Sequence, residues 1–226
     1  MKIPRTKVCG VTRLEDLDHL AASAIDAVGI NLVPTSPRCV LLDHAEVLAR
    51  RAGELGLLRV AVVMNPGKFQ LAEIVNSLDF ELLQLHGEET PDCLDGLGDS
   101  LRIIKALSWT GRQSERHLAE LWQATDALAA FLVDAYSPGV GGGTGRIARW
   151  DVLMPRPTAL SAHPLILAGG LNSANVAAAI EGTLPYGVDT ASGVESKPGF
   201  KDAIKVRDFA NNARHAFAKW QDQQEQ

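Results

Sequence analysis

"LLRVAVVMNPGKFQLAEIVNSLDFELLQLHG", residues 57–87, holds two short apolar runs on either side of an amphipathic segment. The first run, "LLRVAVVM", is nearly unbroken, as a strand buried on both faces should be. "KFQLAEIVNSL" then spaces its apolar residues three and four apart, which is a helical period. "LLQLHG" returns to a strand and ends on a polar His-Gly pair. Strand, helix, strand in one continuous stretch predicts two parallel strands joined by a crossover helix.

The same alternation extends in both directions. "IPRTKVC" and "AVGINLV" precede it as strands, and "RIIKALS", "FLVDA", "LILAGG" and "YGVDTASG" follow. Helical candidates lie between them: "RLEDLDHLAASA", "DHAEVLARRAGEL", "SERHLAELWQATDALA", "NSANVAAAIEG" and "DAIKVRDFANNARHAFAKW". In the third of these, Leu118, Leu121 and Trp122 recur at helical spacing and are expected to face the core. The segment after the sixth strand has no clear pattern. Eight parallel strands in this length predict an α/β fold, a (β/α)8 barrel, with an open doubly wound sheet as the alternative. No Pro- or Ser-rich linker divides the chain, so residues 1–220 read as one catalytic domain and 221–226 as a polar tail that frays.

Composition narrows the function. The 226 residues carry a formal net charge of −5 and only 5% aromatics. That argues against a basic nucleic-acid footprint and against base-stacking platforms. Three scattered cysteines, Cys9, Cys39 and Cys93, form no CxxC pair and no zinc spacing. They fit a reducing compartment, and no run approaches membrane-spanning length, so a cytoplasmic protein is expected. A monomer and a homodimer both remain open.

In a barrel, functional groups gather at the C-terminal ends of the strands. That places Cys9 after the first strand, Arg38 after the second, His86 after the fourth and Asp134 after the sixth, with Asp189 on the eighth. Lys105 lies on the fifth strand and reads as structural. "LAGGLNSANV" runs from a strand through Gly169-Gly170 into a helix expected to be capped by Asn172 or Ser173. Ser192-Gly193 makes a second small-residue turn after strand eight. Loops after strands seven and eight are where such barrels hold phosphate, so both are candidate phosphate sites. "AYSPGVGGGTGR", residues 135–146, lacks the P-loop ending and the dinucleotide fingerprint. It reads as a glycine-rich flap whose Gly142 and Gly143 reach a substrate, or as a plain connector.

"KVCGVTRLEDL", "SPRCV", "LQLHGEE", "VDA…GGTGR…W", "LAGGLN…NV" and "GVDTASGVESKPGFKD" together resemble phosphoribosylanthranilate isomerase, in that family's order and across nearly the whole chain. The resemblance implies an Amadori rearrangement of a phosphorylated small molecule, without metal or organic cofactor. By it, Cys9 matches the general base, Asp134 the general acid, and Arg38 the arginine that holds the anthranilate part. His86 and Asp189 match recurrent family residues, with substrate contact and a supporting role both open. These residue types suit the reaction: a carboxyl delivers a proton to a ring oxygen, a thiolate removes a carbon-bound proton, and a guanidinium forks a carboxylate.

Other readings stand beside these. Cys9 alone reads equally as a buried structural thiol, and Arg38 as a surface ion pair. A histidine-pathway Amadori isomerase on a similar barrel is one rival, though it typically uses paired aspartates. A non-catalytic binder of phosphorylated aromatics is another. The chain also departs from the family pattern: "AYSPGV" precedes the glycines, Arg146 stands where lysine is more usual, and Arg149-Trp150 replaces a pair ending in Asp-Trp.

Overall fold

The computed structural model describes residues 2–98, 100–134 and 150–224. The glycine-rich segment, with Gly142, Gly143, Arg146 and Arg149, lies outside them.

Eight strands close into a barrel in sequence order: β1 (Thr6–Cys9), β2 (Ala27–Asn31), β3 (Leu58–Val63), β4 (Leu82–Leu85), β5 (Ile103–Ser108), β6 (Leu128–Asp134), β7 (Leu165–Ala168) and β8 (Gly187–Thr190). Every neighbouring pair is parallel, and β1 closes on β8 with Lys7 opposite Asp189. The (β/α)8 expectation is met and the open sheet is excluded.

Helices follow six of the strands: α1 (Leu14–Ala22), α2 (Leu42–Glu54), α3 (Lys68–Ser77), α4 (Gln113–Gln123), α5 (Val176–Thr183) and α6 (Ala203–Gln224). Among the described residues, β4 and β6 are followed by short 3-10 turns, at Pro91–Leu94 and Trp150–Leu153. A two-stranded antiparallel hairpin, β9 (Glu195–Lys197) and β10 (Phe200–Lys201), sits between β8 and α6. Among the described residues no helix is long and apolar enough to cross a membrane.

Period-two alternation divides the core. One set of side chains, including Ala27, Val60, Val62, Leu82, Ile104, Ala106, Ala130, Leu132 and Ile166, fills the barrel interior. The opposite set, with Val8, Val28, Leu83, Phe131 and Val188, packs against the helices. Both faces of each strand are therefore dry, which is why the strands read as continuous apolar runs.

Three local expectations needed correction. Helix α4 stops at Gln123, and β6 begins at Leu128, three residues before the predicted "FLVDA" run. Leu128, Ala129 and Ala130 are good helix formers, but barrel pairing with β5 overrides that propensity. Leu121 is exposed while Trp122 is fully buried, its indole N–H donating to the Glu89 carbonyl at 2.9 Å. The apolar stripe of α4 thus runs through Ala119 and Trp122. Helix α6 continues through Gln224, so the polar residues after Trp220 extend it for another turn.

Candidate functional site

Cys9 ends β1 and borders the interior cluster. Gly29, its partner on β2, makes room for it: a Cβ there would lie 2.8 Å from the Cys9 sulfur. Lys7, two residues earlier on the same strand face, is fully buried and donates to Asp189 Oδ1 at 2.9 Å. Burial pushes the Cys9 thiol up, against the Lys7 and Lys201 charges, which favour the thiolate. Burial also works against the Lys7 ammonium, but Asp189 and Cys9 outweigh it and hold Lys7 above its ordinary value.

Asp134 ends β6, in step with the inward-facing Ala130 and Leu132, so its side chain belongs to the same inner face as Cys9. His86 follows β4 directly, in step with inward-facing Leu82 and fully buried Gln84. The Gln84 amide lies 2.7 Å from His86 Nδ1. With that amide as donor, a neutral ring keeps its proton on Nε2. Burial, then the positive charge of Lys7, lowers the His86 pKa, while Asp134 and Asp189 pull the other way. Cys9, His86 and Asp134 thus stand at or directly after the C-terminal ends of β1, β4 and β6, with the Lys7–Asp189 pair on β1 and β8.

Arg38 reaches this mouth from the loop after β2. Gly10, in the left-handed region at φ +73°, lets the arginine stem pass; a Cβ there would lie 2.3 Å from Arg38 Cδ. Its guanidinium donates through Nε and Nη2 to both carboxylate oxygens of Glu195, at 2.8 and 2.6 Å. Lys201 donates to the same carboxylate at 2.8 Å and to the Cys9 carbonyl at 2.6 Å. Burial would raise the Glu195 carboxyl, but the bonds from Arg38 and Lys201 outweigh it and hold it below its usual range. Arg38 is accordingly paired, though with a buried partner inside the mouth rather than on the surface.

The two candidate phosphate loops come together. Gly169 and Gly170 both adopt positive φ, at 92° and 68°. Thr190 Oγ1 donates to the Leu171 carbonyl at 2.6 Å, tying the end of β8 to the loop after β7. Gly193 lies so close that a Cβ would sit 1.9 Å from that same Leu171 oxygen. The expected capping residues do not cap: α5 starts at Val176 with Asn175 before it. Asn172 instead folds an Asx turn, its Oδ1 accepting from the Ala174 N–H at 2.9 Å.

Lys105 stays out of the site. It faces the helices and donates to Glu89 at 2.7 Å and to the Gly87 carbonyl at 2.6 Å, fixing the loop that carries His86. Cys39 and Cys93 are partly buried, and burial pushes the Cys93 thiol up to about 11. No group of three or more His, Cys, Asp or Glu among the described residues could hold a metal ion. Lys7, Gln84, Glu195 and Lys201 are site residues that sequence reasoning missed. Lys7 carried one available signal, a charged residue inside a buried strand; Lys201 carried none.

With this geometry in hand, the profile of the PRAI family, N-(5'-phosphoribosyl)anthranilate (PRA) isomerase, matches residues 6–212. The chain belongs to this family. It is 40% identical over 210 residues to the N-(5'-phosphoribosyl)anthranilate isomerase of Myxococcus xanthus, covering 93% of this chain and 96% of that relative. The crystal structure of the phosphoribosyl anthranilate isomerase from Thermotoga maritima superposes with a TM-score of 0.81 at 29% identity, over 94% of this chain and all of that one (100%). A second family structure, in complex with reduced 1-(o-carboxyphenylamino)-1-deoxyribulose 5-phosphate, gives a TM-score of 0.78 at 27% identity, over 94% and 100% of the two chains. The chain therefore shares its barrel fold with the solved structures of the family.

Proposed function

We propose that the chain performs the isomerisation of its family, the Amadori rearrangement of N-(5'-phosphoribosyl)anthranilate in tryptophan biosynthesis, with Asp134 as general acid and Cys9 as general base. Asp134 gives a proton to the ribose ring oxygen as the C1–O bond breaks. The anilino nitrogen lone pair forms the C1=N bond, leaving an open-chain iminium. The Cys9 thiolate removes the C2 proton, whose bonding electrons become the C1=C2 bond while the C=N pair returns to nitrogen. The enolamine then becomes the ketone when C1 gains a proton and the C2 hydroxyl loses one. Atoms and electrons balance without an outside oxidant or reductant, as an isomerisation requires.

The observation that carries this reading is the placement of a carboxyl and a thiol at the C-terminal ends of β6 and β1, on the inner face of the barrel. The same reading gives the remaining residues their roles. Arg38 holds the anthranilate carboxylate, and Gly169-Gly170 with Ser192-Gly193 hold the phosphate; Gly142 and Gly143, outside the described residues, are the further substrate contacts in this proposal. His86 and Asp189 line the sugar pocket, the latter also neutralising Lys7. The acting unit in this proposal is residues 1–220, as a monomer or homodimer in the cytoplasm, with a small phosphorylated metabolite as its only ligand. Purified protein given N-(5'-phosphoribosyl)anthranilate should form 1-(2-carboxyphenylamino)-1-deoxyribulose 5-phosphate, and the gene should rescue a tryptophan-requiring strain lacking this step. Binding of the product without turnover would overturn the proposal.

A further inference from the structure

Glu195 has no part in the acid–base steps, yet it is among the most fully used carboxylates in the molecule. Its side chain is 3% exposed. Its two oxygens receive Arg38 Nε at 2.8 Å, Arg38 Nη2 at 2.6 Å, Lys201 Nζ at 2.8 Å and the Gly199 N–H at 3.2 Å. A guanidinium presents five N–H donors. The bond pair to Glu195 consumes the fork formed by Nε and one hydrogen of Nη2. What remains is the end-on fork of Nη1 and Nη2, one bidentate edge suited to a second carboxylate.

The guanidinium is held at two points. Its stem is seated over Gly10, and its head is gripped by Glu195. Lys201 extends the grip to the reacting end of the barrel, donating to the Cys9 carbonyl at 2.6 Å and the Ala191 carbonyl at 3.3 Å. Thr12 Oγ1 donates to the Gly199 carbonyl at 2.6 Å, so the β9–β10 hairpin is pinned to the loop after β1. Charge is balanced for the same end. Arg38 and Lys201 supply two positive charges against one from Glu195, which leaves the cluster one net positive charge to attract an anion.

We propose that Glu195 is a specificity-positioning residue. It orients Arg38 so that its end-on fork meets the aromatic carboxylate of the substrate at a fixed distance from Cys9. The inference rests on the reading of Arg38 as the carboxylate-binding arm. Without Glu195 a long, flexible arginine has several rotamers open to it, and each one lost on binding weakens the complex.

The test compares two substrates, N-(5'-phosphoribosyl)anthranilate and the same sugar phosphate carrying aniline in place of anthranilate. Wild type, E195Q, E195D and R38A are assayed on both. For E195Q we expect KM for the carboxylate substrate to rise about tenfold, and kcat/KM to fall several-fold further for that substrate than for the aniline analogue. E195D keeps the charge but withdraws it, and should fall between wild type and E195Q; it also serves if E195Q fails to fold. R38A should lose the preference for the carboxylate substrate altogether. If R38A keeps that preference, Arg38 is not the carboxylate arm and the underlying reading fails. If R38A loses it but the Glu195 variants keep it, or lose activity equally on both substrates, Glu195 is merely structural and the inference is overturned.

Discussion

Lys7 Nζ lies 2.9 Å from Asp189 Oδ1 inside the barrel, two residues below Cys9 on the same face of β1. Both side chains are removed from water, at 0% and 8% exposure, so the buried Lys7 ammonium relies on that carboxylate as its counter-charge. Asp189→Ala should therefore cost about 3–5 kcal/mol in urea unfolding, because it strands a buried ammonium. The double variant Lys7→Met/Asp189→Leu should recover most of that loss while remaining poor in turnover. A cost of less than about 1 kcal/mol for Asp189→Ala, the range of an exposed pair, would show that the charges are not mutually dependent.

Cys9→Ala and Asp134→Asn should each lower kcat by at least about a hundredfold, the ordinary scale of a lost general acid or base. Unfolding midpoints should move little, since neither substitution opens the apolar core. Single-turnover assays would check this, and wild-type rates in either variant would remove that residue from the mechanism.

The pH profile follows from the burial of Cys9. Its thiol is raised above the ordinary 9.0 by burial, so the thiolate is scarce at neutral pH. kcat/KM should climb steadily as pH rises toward 9.0, without a plateau below it, and alkylation of Cys9 by iodoacetamide should trace the same limb. Lys7→Gln removes a charge that favours the thiolate and should carry the limb to still higher pH. A profile flat through the neutral range would mean that a different group removes the proton.

His86 makes stability fall on acidification. Its folded pKa lies below the ordinary 6.5, burial being the main cause. A depressed value means that the folded state prefers the neutral ring. The resulting stability is present above 6.5 and is lost as pH falls through the folded value. His86→Asn should remove this part of the acid limb in urea midpoints measured against pH. Parallel curves for the two proteins would show that the ring pays no desolvation cost.

Gly193→Ala should disturb the phosphate loops. A Cβ there meets the Leu171 carbonyl at 1.9 Å, and neither backbone can yield without moving the loop after β7 or β8. We expect a loss of about 1–3 kcal/mol in stability and a raised KM for phosphorylated substrate. Unchanged inhibition by inorganic phosphate would place the anion elsewhere.

Much of the barrel was legible because its strands are dry on both faces. Runs such as "AVGIN" and "LRVAVV" carry that signature without help from distant parts of the chain. Counting strand ends likewise located Cys9, His86 and Asp134 at the ends of β1, β4 and β6, Asp189 on β8 and Arg38 in the loop after β2. The beginning of β6 was hidden because Leu128 to Ala130 suit a helix as well as a strand, and only pairing with β5 decides between them. Leu121 misled for a related reason: helical spacing gives the apolar stripe but not its edge. The partners of the site were hidden by distance. Lys7 meets Asp189 across 182 residues, and Arg38 meets Glu195 across 157, so no local pattern announces either pair. The hairpin that carries Glu195 consists of two very short strands, too brief for alternation to show.

The bonds from Thr12 to Gly199 and from Lys201 to the Cys9 carbonyl join parts of the chain 187 and 192 residues apart. They have a consequence for biosynthesis on the ribosome. The strand that carries Cys9 is made well before the residues that grip its end. A growing chain therefore displays its thiol long before it owns a working mouth. Partial chains should be catalytically silent rather than weakly active, and activity should arrive in a single step when the β9–β10 hairpin folds onto β1.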